Sequence, residues 1–237
     1  MVNRLTKSKN WQRKKFEEIF KFLKTANNPR DDLSQSDHED DLIYIHYGDV
    51  HTHKSPFLDF DNTSLPYISK KKLQNYDHVK DGDLVMVVAS EDYAGLGKSV
   101  EIINSKEQRI VSGLHTFLLR GNAEFLTNGF KAYVQFIPEF RNSLNLLATG
   151  VSVYSISKYN LKKIEVSLPE RDEQIRIVEI LSKINTLIDS LTELIEKKKN
   201  IKQGTMQELL TGKRRLEGYK TEWKYDRLGN HSNFFVP

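Results

Sequence analysis

Two kinds of hydrophobic pattern divide the chain near position 168. Up to that point, apolar residues occur in short β-prone runs that are separated by polar or glycine-containing turns. These runs predict strands at residues 42–47, 84–89, 100–103 and 116–119. The run at 84–89 is wholly apolar, which is typical of a buried strand. Residues 11–24 fit either an amphipathic helix or a strand that enters a sheet, and their spacing does not decide between the two.

Helix signals follow the last of these strands. Thr127 and Asn128 can cap a helix over residues 130–137. Pro138 is suited to a first helical position and predicts a second helix over residues 139–148. Two consecutive helices are therefore expected in this part of the chain.

The strand pattern then returns before the domain ends. Gly150 is expected to end the second helix, and β-prone residues reappear at 151–156 and 161–168. These signals together predict an α/β (mixed) domain of short strands and few helices over residues 1–168.

A long helix is predicted after this domain. From Glu170 the chain has neither glycine nor proline until Gly204. With Ile177 at heptad position a, the a, d and e positions stay apolar over about three heptads, until Lys198. The apolar residues of this stripe are Ile177, Ile180, Leu181, Ile184, Leu187, Ile188, Leu191, Leu194, Ile195 and Ile201. We predict a coiled-coil spacer over residues 169–212, with a helix roughly 55 Å long at about 1.5 Å per residue.

The width of this stripe indicates how the helix is used. Three apolar positions in each heptad form a face wider than a simple two-position seam. An isolated helix of this kind would expose a large apolar surface, so a partner helix is expected to cover it. A core helix of one compact fold is the alternative.

Composition and charge exclude several protein classes. The chain has 237 residues and no cysteine, which excludes disulfide scaffolds, thiolate zinc sites and cysteine nucleophiles. No apolar run approaches the roughly 18 residues of a membrane span, and no secretory signal is recognisable. We expect a cytoplasmic protein with no membrane association; a transit peptide is the alternative reading of the basic start.

The modest net charge of +4 conceals charged blocks. Residues 1–30 and 196–215 are basic, whereas residues 31–61 are acidic. Clustered cations are typical of proteins that bind polyanions, although a solvated surface gives the same composition. The charge alone therefore leaves both interpretations open.

Signatures of catalysis and of cofactor binding are missing. Gly95, Gly97 and Lys98 lack the full spacing of a phosphate-binding loop, and the residues after them are β-prone rather than helical. His51 and His53 could share a metal, but no further ligands with a regular spacing accompany them. We therefore predict no catalytic residues, no metal and no cofactor.

Polar and aromatic loops point instead to nucleic-acid recognition. Base edges are read by side chains with hydrogen-bonding groups, and phosphates attract cations. The candidates for reading bases are Ser90, Tyr93, Lys98, Arg141, Asn142, Ser152 and Tyr154, and those for binding phosphates are Lys70, Lys71 and Lys72. Ordinary structural roles in loops are the alternative for each of them.

A possible long-period repeat involves the only two tryptophans. Trp11 and Phe16 have the same spacing as Trp223 and Leu228, each pair in a basic context. This predicts that residues 213–237 are the start of a second copy of the domain. Chance similarity over so few positions is the alternative.

Several runs match the pattern of one known protein family. They are Gly82-Asp83-Leu84, Ser90-Glu91-Asp92-Tyr93 with Gly95, Gly97 and Lys98, Ser112-Gly113-Leu114-His115-Thr116, Ala148-Thr149-Gly150-Val151 leading to Ser157-Lys158 and Leu161, Leu168-Pro169 with Glu173-Gln174, and Met206-Gln207 with Leu209-Leu210-Thr211-Gly212-Lys213. Together with the long helix, they resemble the specificity (S) subunit of type I restriction–modification systems over nearly the whole chain. The helix with the segment at 209–213 is the most specific part of this resemblance.

The resemblance implies a non-catalytic DNA-binding subunit. In that family, two target recognition domains each read half of a split target in double-stranded DNA, and two long helices pair antiparallel to hold them apart. Methyltransferase (M) subunits dock on the specificity subunit, and R subunits add ATP-dependent cleavage. This chain departs from the pattern because it contains one domain, one helix and the start of a second copy.

The departure leads to a further expectation. Two copies are expected to form an antiparallel homodimer through the helix, with M subunits, and R subunits where they are present, as partners. Two identical domains would then read inverted half-sites of a split palindrome. The alternatives are a stand-alone nuclease or methyltransferase, a coiled-coil interaction protein, and a non-functional truncated or recombination fragment of a specificity subunit.

Overall fold

The computed structural model describes residues 11–36, 38–106 and 108–230. The basic residues before Trp11, and the parts of the two repeat copies that precede Trp11 and follow Asn230, lie outside the described residues. The chain divides into two compact units, Met1–Ile180 and Leu181–Pro237. The first unit is a mixed α/β domain, and the long C-terminal helix is present, so the predicted fold class is confirmed. The functional division at residues 168 and 212 stays a prediction.

The first unit contains short strands and a few short helices. Its strands are β1 (Gln12–Lys15), β2 (Phe20–Leu23), β3 (Asp41–Ile45), β4 (Phe57–Asp59), β5 (Tyr67–Ser69), β6 (Asp83–Val87), β7 (Ala89–Ser90), β8 (Ser99–Ile103), β9 (Ile110–Ser112), β10 (Thr116–Gly121), β11 (Tyr154–Ser155) and β12 (Glu165–Leu168). The α-helices are α1 (Phe16–Ile19), α2 (Tyr47–Thr52), α3 (Pro138–Leu147), α4 (Lys158–Lys163) and α5 (Arg171–Leu210). Short 3-10 helices are formed by Arg30–Asp32, Lys70–Lys72, Lys131–Phe136 and Leu228–Asn230. The last of these and most of α5 belong to the second unit.

A five-stranded sheet organises the domain, in the order β2-β10-β6-β8-β4. Its pairs are antiparallel except for β4 with β8, which run parallel. All five residues of β6 are buried because this strand occupies the middle of the sheet. A second sheet has the order β5-β3-β9, and two-stranded ladders join β1 to β12 and β7 to β11.

Most of the predicted strands are present near their expected positions. Strands β3, β6, β8 and β10 overlap the four runs that the sequence indicated, although β3 and β6 each end two residues before the predicted end. Residues 11–24, which the sequence left undecided, form a strand, one turn of helix and a second strand. The phenyl ring of Phe16 in that turn stacks on Phe140 of α3, with 5.3 Å between ring centroids.

Three predicted elements are corrected by the structure. The helix expected at 130–137 is the 3-10 helix Lys131–Phe136. At the start of this helix, the N–H groups of Gly129 and Ala132 donate to the buried Glu101 carboxylate, rather than to a Thr127 side chain. The strand expected at 161–168 begins only at β12, because the Ser157 hydroxyl accepts the N–H of Asn160 and caps α4.

The third correction concerns residues 151–156. Only Tyr154 and Ser155 form a strand there, and Val151 and Ser152 belong to the loop that precedes it. Helix α3, by contrast, begins at Pro138, as the sequence predicted, and ends at Leu147, one residue before the predicted end.

The first turns of α5 are anchored in the domain by Gln174. This side chain is buried, and its Oε1 accepts the N–H of Thr127 at 2.9 Å. Its Nε2 donates to the carbonyls of Phe125 at 2.7 Å and Pro169 at 3.0 Å. Ile177, three residues further along, packs partly buried against the main core.

Helix α5 continues for 40 residues and passes through Gly204. Beyond it, Gly212 has a φ of +75°, which fits the expected glycine at a helix C-terminus. No helix in the part of the chain that the structure describes is both long enough and apolar enough to cross a bilayer.

Candidate nucleic-acid interface

Two tyrosines that are far apart in the sequence stack on one another. The rings of Tyr93 and Tyr154 lie 4.0 Å apart between centroids, with 28° between their planes. The pairing of β7 with β11 brings them together, because it places Tyr154 opposite Ser90. Tyr93 remains 44% exposed, so the stacked pair presents an aromatic surface to solvent. We define the tyrosine site as this pair together with the loops at 90–98 and 149–155.

The 90–98 loop is held by its own hydrogen bonds. Ser90 is buried, and its hydroxyl accepts the N–H of Asp92 at 3.3 Å. The Asp92 carboxylate in turn accepts the N–H of Gly95. At Gly97 the φ is +72°, and an added Cβ would lie 2.4 Å from Leu144 Cδ2 of α3. Glycine is therefore required at this position by both backbone conformation and packing.

Arg141 connects this loop to α3. Its guanidinium donates to the carbonyl oxygens of Leu96, Gln135 (3.3 Å) and Tyr93 (3.5 Å). Burial lowers the pKa of the guanidinium below its usual range. The next residue, Asn142, is exposed. Two adjacent candidates thus have different surroundings: one faces the loop and the other faces solvent.

The 149–155 loop is closed at its base and open at its tip. Thr149 and Ser155 exchange two backbone hydrogen bonds of 2.9 and 2.8 Å. Between them, Ser152 is exposed, and Val151 and Val153 are 93% and 52% exposed. The sequence did not single out these valines, because apolar residues in a predicted strand suggest burial rather than a loop tip.

Lysine candidates occupy different places. Lys98 lies in the loop of the tyrosine site, where its ammonium donates to the His51 carbonyl. Lys70, Lys71 and Lys72 form the 3-10 helix that follows β5 of the three-stranded sheet. All three are exposed, but Lys72 forms an ion pair of 2.9 Å with Asp32.

The Asp32 carboxylate already binds the ammonium group of Lys72. A hydrogen bond from Asn28 and the contact with Lys72 hold the pKa of Asp32 below its usual range. A phosphate at this position would have to compete with that carboxylate. Lys70 and Lys71 are therefore better candidates for phosphate binding than Lys72.

A second group of lysines surrounds a cleft that the sequence did not indicate. The ammonium groups of Lys158 and Lys162 lie 5.2 and 5.9 Å from the centre of the Phe22 ring. With Lys21 and Arg120 they line a cavity of about 660 Å³, which also contains Glu17 and Glu18. Lys162 is 3.7 Å from Glu17, and Arg120 is paired with Asp83. The cations come from α4, β2 and β10, so only the fold brings them together.

The structure thus gathers seven of the ten candidates in or beside the tyrosine site. Ser90, Tyr93, Lys98, Ser152 and Tyr154 belong to it, Arg141 of α3 bonds to its 90–98 loop, and Asn142 is the exposed neighbour of Arg141. Of these, the side chains of Ser90, Lys98 and Arg141 bond within the protein, whereas Tyr93, Asn142 and Ser152 face solvent. The lysines at 70–72 lie on another sheet.

Metal binding has no geometric support in the described ranges. No group of three or more histidine, aspartate or glutamate side chains is arranged there to hold an ion. His53, one of the two histidines that the sequence raised, bonds through Nε2 to the Phe57 carbonyl at 2.8 Å.

The apolar face of α5 is exposed beyond the first turns. Eight of its ten predicted stripe residues are 47–59% exposed, while Ile177 and Leu181 are partly buried. The eight are Ile180, Ile184, Leu187, Ile188, Leu191, Leu194, Ile195 and Ile201. We call these eight residues the helix face.

The tail contains the second tryptophan of the predicted repeat. The Arg215 guanidinium lies 5.6 Å from the centre of the Trp223 ring. Trp11 precedes a strand, whereas the described tail residues 213–230 contain no strand. The repeat therefore stays a prediction.

Comparisons with known proteins point in one direction. The family model described as "Type I restriction modification DNA specificity domain" matches residues 8–203. A curated relative, the putative type I restriction enzyme MjaX specificity subunit of Methanocaldococcus jannaschii, is 26% identical over 189 residues. That match covers 74% of this chain and 44% of the relative, so the chain spans less than half the length of that protein.

Solved structures share the fold at low sequence identity. The S subunit of a type I restriction–modification system from M. genitalium matches with a TM-score of 0.52 and 14% identity, over 86% of this chain and 47% of that one. The HsdS subunit from Thermoanaerobacter tengcongensis gives 0.53 and 16%, over 87% and 46%. A chain from a structure titled as the basis of complex assembly and conformational transition of the type I R-M system gives 0.58 and 15%, over 88% and 47%.

Proposed function

The chain belongs to the family of type I restriction–modification DNA specificity proteins, and from this premise we propose that it reads half of a split DNA target for partner enzymes. Specificity proteins of this kind are not themselves catalytic. The observation that carries the proposal is the tyrosine site. Its two loops present aromatic and hydrogen-bonding groups to solvent, and hydrogen bonds within the protein hold these loops in position.

Different residues are proposed to supply selectivity and affinity. Tyr93, Asn142 and Ser152 are exposed and can contact bases, since amide and hydroxyl groups match base edges in the major groove. Ser90, Lys98, Arg141 and Tyr154 are proposed to hold the loops in position. Phosphates are proposed to bind Lys70 and Lys71, which are exposed at one end of a short helix, and Lys72 more weakly because of its pair with Asp32.

Pairing of two copies is proposed to complete the reader. The helix face exposes eight isoleucine and leucine side chains, which an antiparallel second copy of α5 would cover. Two identical domains related by a two-fold axis would read inverted half-sites. Such a dimer would dock M subunits, and R subunits where present, in the cytoplasm.

Sequencing of modified DNA tests the proposal directly. The full chain is expressed together with its M subunit, and methylated positions are mapped. We expect one bipartite motif with inverted half-sites, and loss of that motif with Asn142→Ala or Ser152→Ala. Methylation without a shared motif would contradict sequence reading, and a motif with unrelated halves would contradict the dimer of identical readers.

Two controls separate the remaining functions. The pure chain is assayed for magnesium-dependent cleavage and for methyl transfer, and activity in either assay would favour an enzyme. Co-purification with the M subunit without any sequence preference in footprinting would favour a protein that serves assembly only. Failure to join the M subunit at all would favour a non-functional fragment.

A further inference from the structure

The apolar residues of the helix face are spaced so that two antiparallel copies of α5 can pack their apolar residues against each other. We propose that two copies of α5 pair in one antiparallel register, in which Ile184 faces Leu194 of the second copy and Leu187 faces Leu191 of the second copy. This inference rests on the proposed dimer and adds the residue pairs that form it.

The two central layers follow from heptad geometry. In an antiparallel pair of helices, a residue at position a lies opposite a residue at position d of the partner helix. Ile184 and Leu191 occupy a positions, and Leu187 and Leu194 occupy d positions. These residues are 47–59% exposed, so each has surface left for a partner. Two-fold symmetry repeats both layers, which gives four consecutive apolar layers around the middle of the interface.

The e positions support the same register. Because the e positions widen the stripe on one side, they face the e positions of the second copy across the two-fold axis. Ile188 faces Ile188 of the second copy, and Leu181 faces Ile195 of the second copy. Ile188 and Ile195 are 54% and 55% exposed, whereas Leu181 is partly buried. The flank of the interface that the e positions form is therefore apolar.

The edges of the interface are occupied by Lys198 and Ile180. In the proposed register these two residues face one another, one layer beyond Ile184 and Leu194. A lysine stem can cover an apolar side chain while its ammonium group stays in water, and such an arrangement is possible only near an edge.

Registers displaced by one heptad in either direction pair the apolar residues less well. One of them places Lys198 opposite Leu187 near the middle, where the ammonium would be buried without a partner. The other places Leu194 opposite Ile177, which already packs against the domain core, and leaves Ile201 uncovered. It also places Ile195 opposite Gln174, whose side chain is buried and fully hydrogen-bonded. The proposed register keeps the four central layers apolar and Lys198 near an edge, and it places Ile201 opposite the partly buried Ile177 only in the outermost layer.

Cysteine crosslinking of the full chain tests the register. The sequence contains no cysteine, so each introduced thiol is unique. Ile188→Cys places two thiols beside the axis and is expected to yield a disulfide-linked or bis-maleimide-linked dimer on a non-reducing gel. Asp189→Cys is the matched control. This residue lies at the same level on the side of the helix that points away from the interface, so the variant is expected to run as a monomer, without a crosslink, on the same gel.

Mixed pairs distinguish the registers from each other. Tagged Leu181→Cys mixed with untagged Ile195→Cys is expected to give a heterodimer, whereas Leu181→Cys mixed with Ile188→Cys is not. Crosslinking of the latter pair, or of Asp189→Cys, would overturn the register and leave the dimer standing. A chain that is monomeric by light scattering at micromolar concentration would overturn the dimer itself, while DNA reading with the M subunit would be judged separately.

Discussion

Replacing Arg141 with alanine tests whether this residue reads bases or holds the 90–98 loop. Its guanidinium binds three backbone carbonyls, of which the one at Tyr93 is distant, at 3.5 Å. A hydrogen bond from a charged donor contributes about 1.5–3 kcal/mol. Because the residue is only half-buried, water can replace part of the two better bonds. We expect Arg141→Ala to lower the free energy of unfolding by about 2–4 kcal/mol.

The neighbouring residue provides the control for this experiment. Asn142 is exposed on the same helix, so Asn142→Ala is expected to change the free energy of unfolding by less than about 0.5 kcal/mol. Urea denaturation of both variants, followed by circular dichroism and by tyrosine fluorescence, measures the difference. Arg141→Lys keeps the charge but loses the planar fork, and it is expected to recover less than half of the loss.

One pattern of results would refute this reasoning. If Arg141→Ala were as stable as the parent chain and lost its target only in methylation mapping, Arg141 would contact DNA directly. If instead Asn142→Ala kept full stability but no longer directed methylation to the target, Arg141 would be assigned to loop support and Asn142 to base reading. The pair therefore separates loop support from base reading at adjacent positions.

Three further predictions concern the structure that supports the site. Glu101→Gln is expected to cost about 3–5 kcal/mol in denaturation, because it leaves the buried ammonium of Lys131 without its charged partner; adding Lys131→Met should recover most of the loss. Burial lowers the pKa of His46, so the unfolded chain binds its proton more readily; the free energy of unfolding should fall as pH drops below about 6.5, and less so in His46→Asn. Gly97→Ala should lower the melting temperature and cost about 1–3 kcal/mol, because the added methyl group meets Leu144 and the φ is positive; an unchanged melting temperature would contradict the close packing.

Regular, local patterns allowed much of the fold to be predicted. Helix α5 has a long apolar repeat without glycine or proline, and β6 has a wholly apolar run, so both could be identified from neighbouring residues alone. Strands β4, β5 and β9 have three residues each and were missed. Their ladders with distant strands define them, and no local signal indicates such pairing.

The sequence suggested which residue types suit DNA recognition, but it did not indicate which contacts their side chains make. Sequence reasoning selected Ser90 and Arg141 as readers because their residue types suit base edges. The same residue types also suit loop support, and the direction of a side chain depends on tertiary packing. Ile177 is a similar case: its heptad position equals that of Ile184, but only Ile177 lies where α5 still packs on the domain.

The ladder between β1 and β12 has a consequence for how such a domain can evolve. Gln12 pairs with Leu168, so the chain enters and leaves the domain at neighbouring points. A polypeptide with adjoining ends can be exchanged as a cassette, or opened elsewhere and rejoined at those ends, without rebuilding its sheets. Recombination near these two points would replace the proposed reading surface as one unit while leaving α5 unchanged.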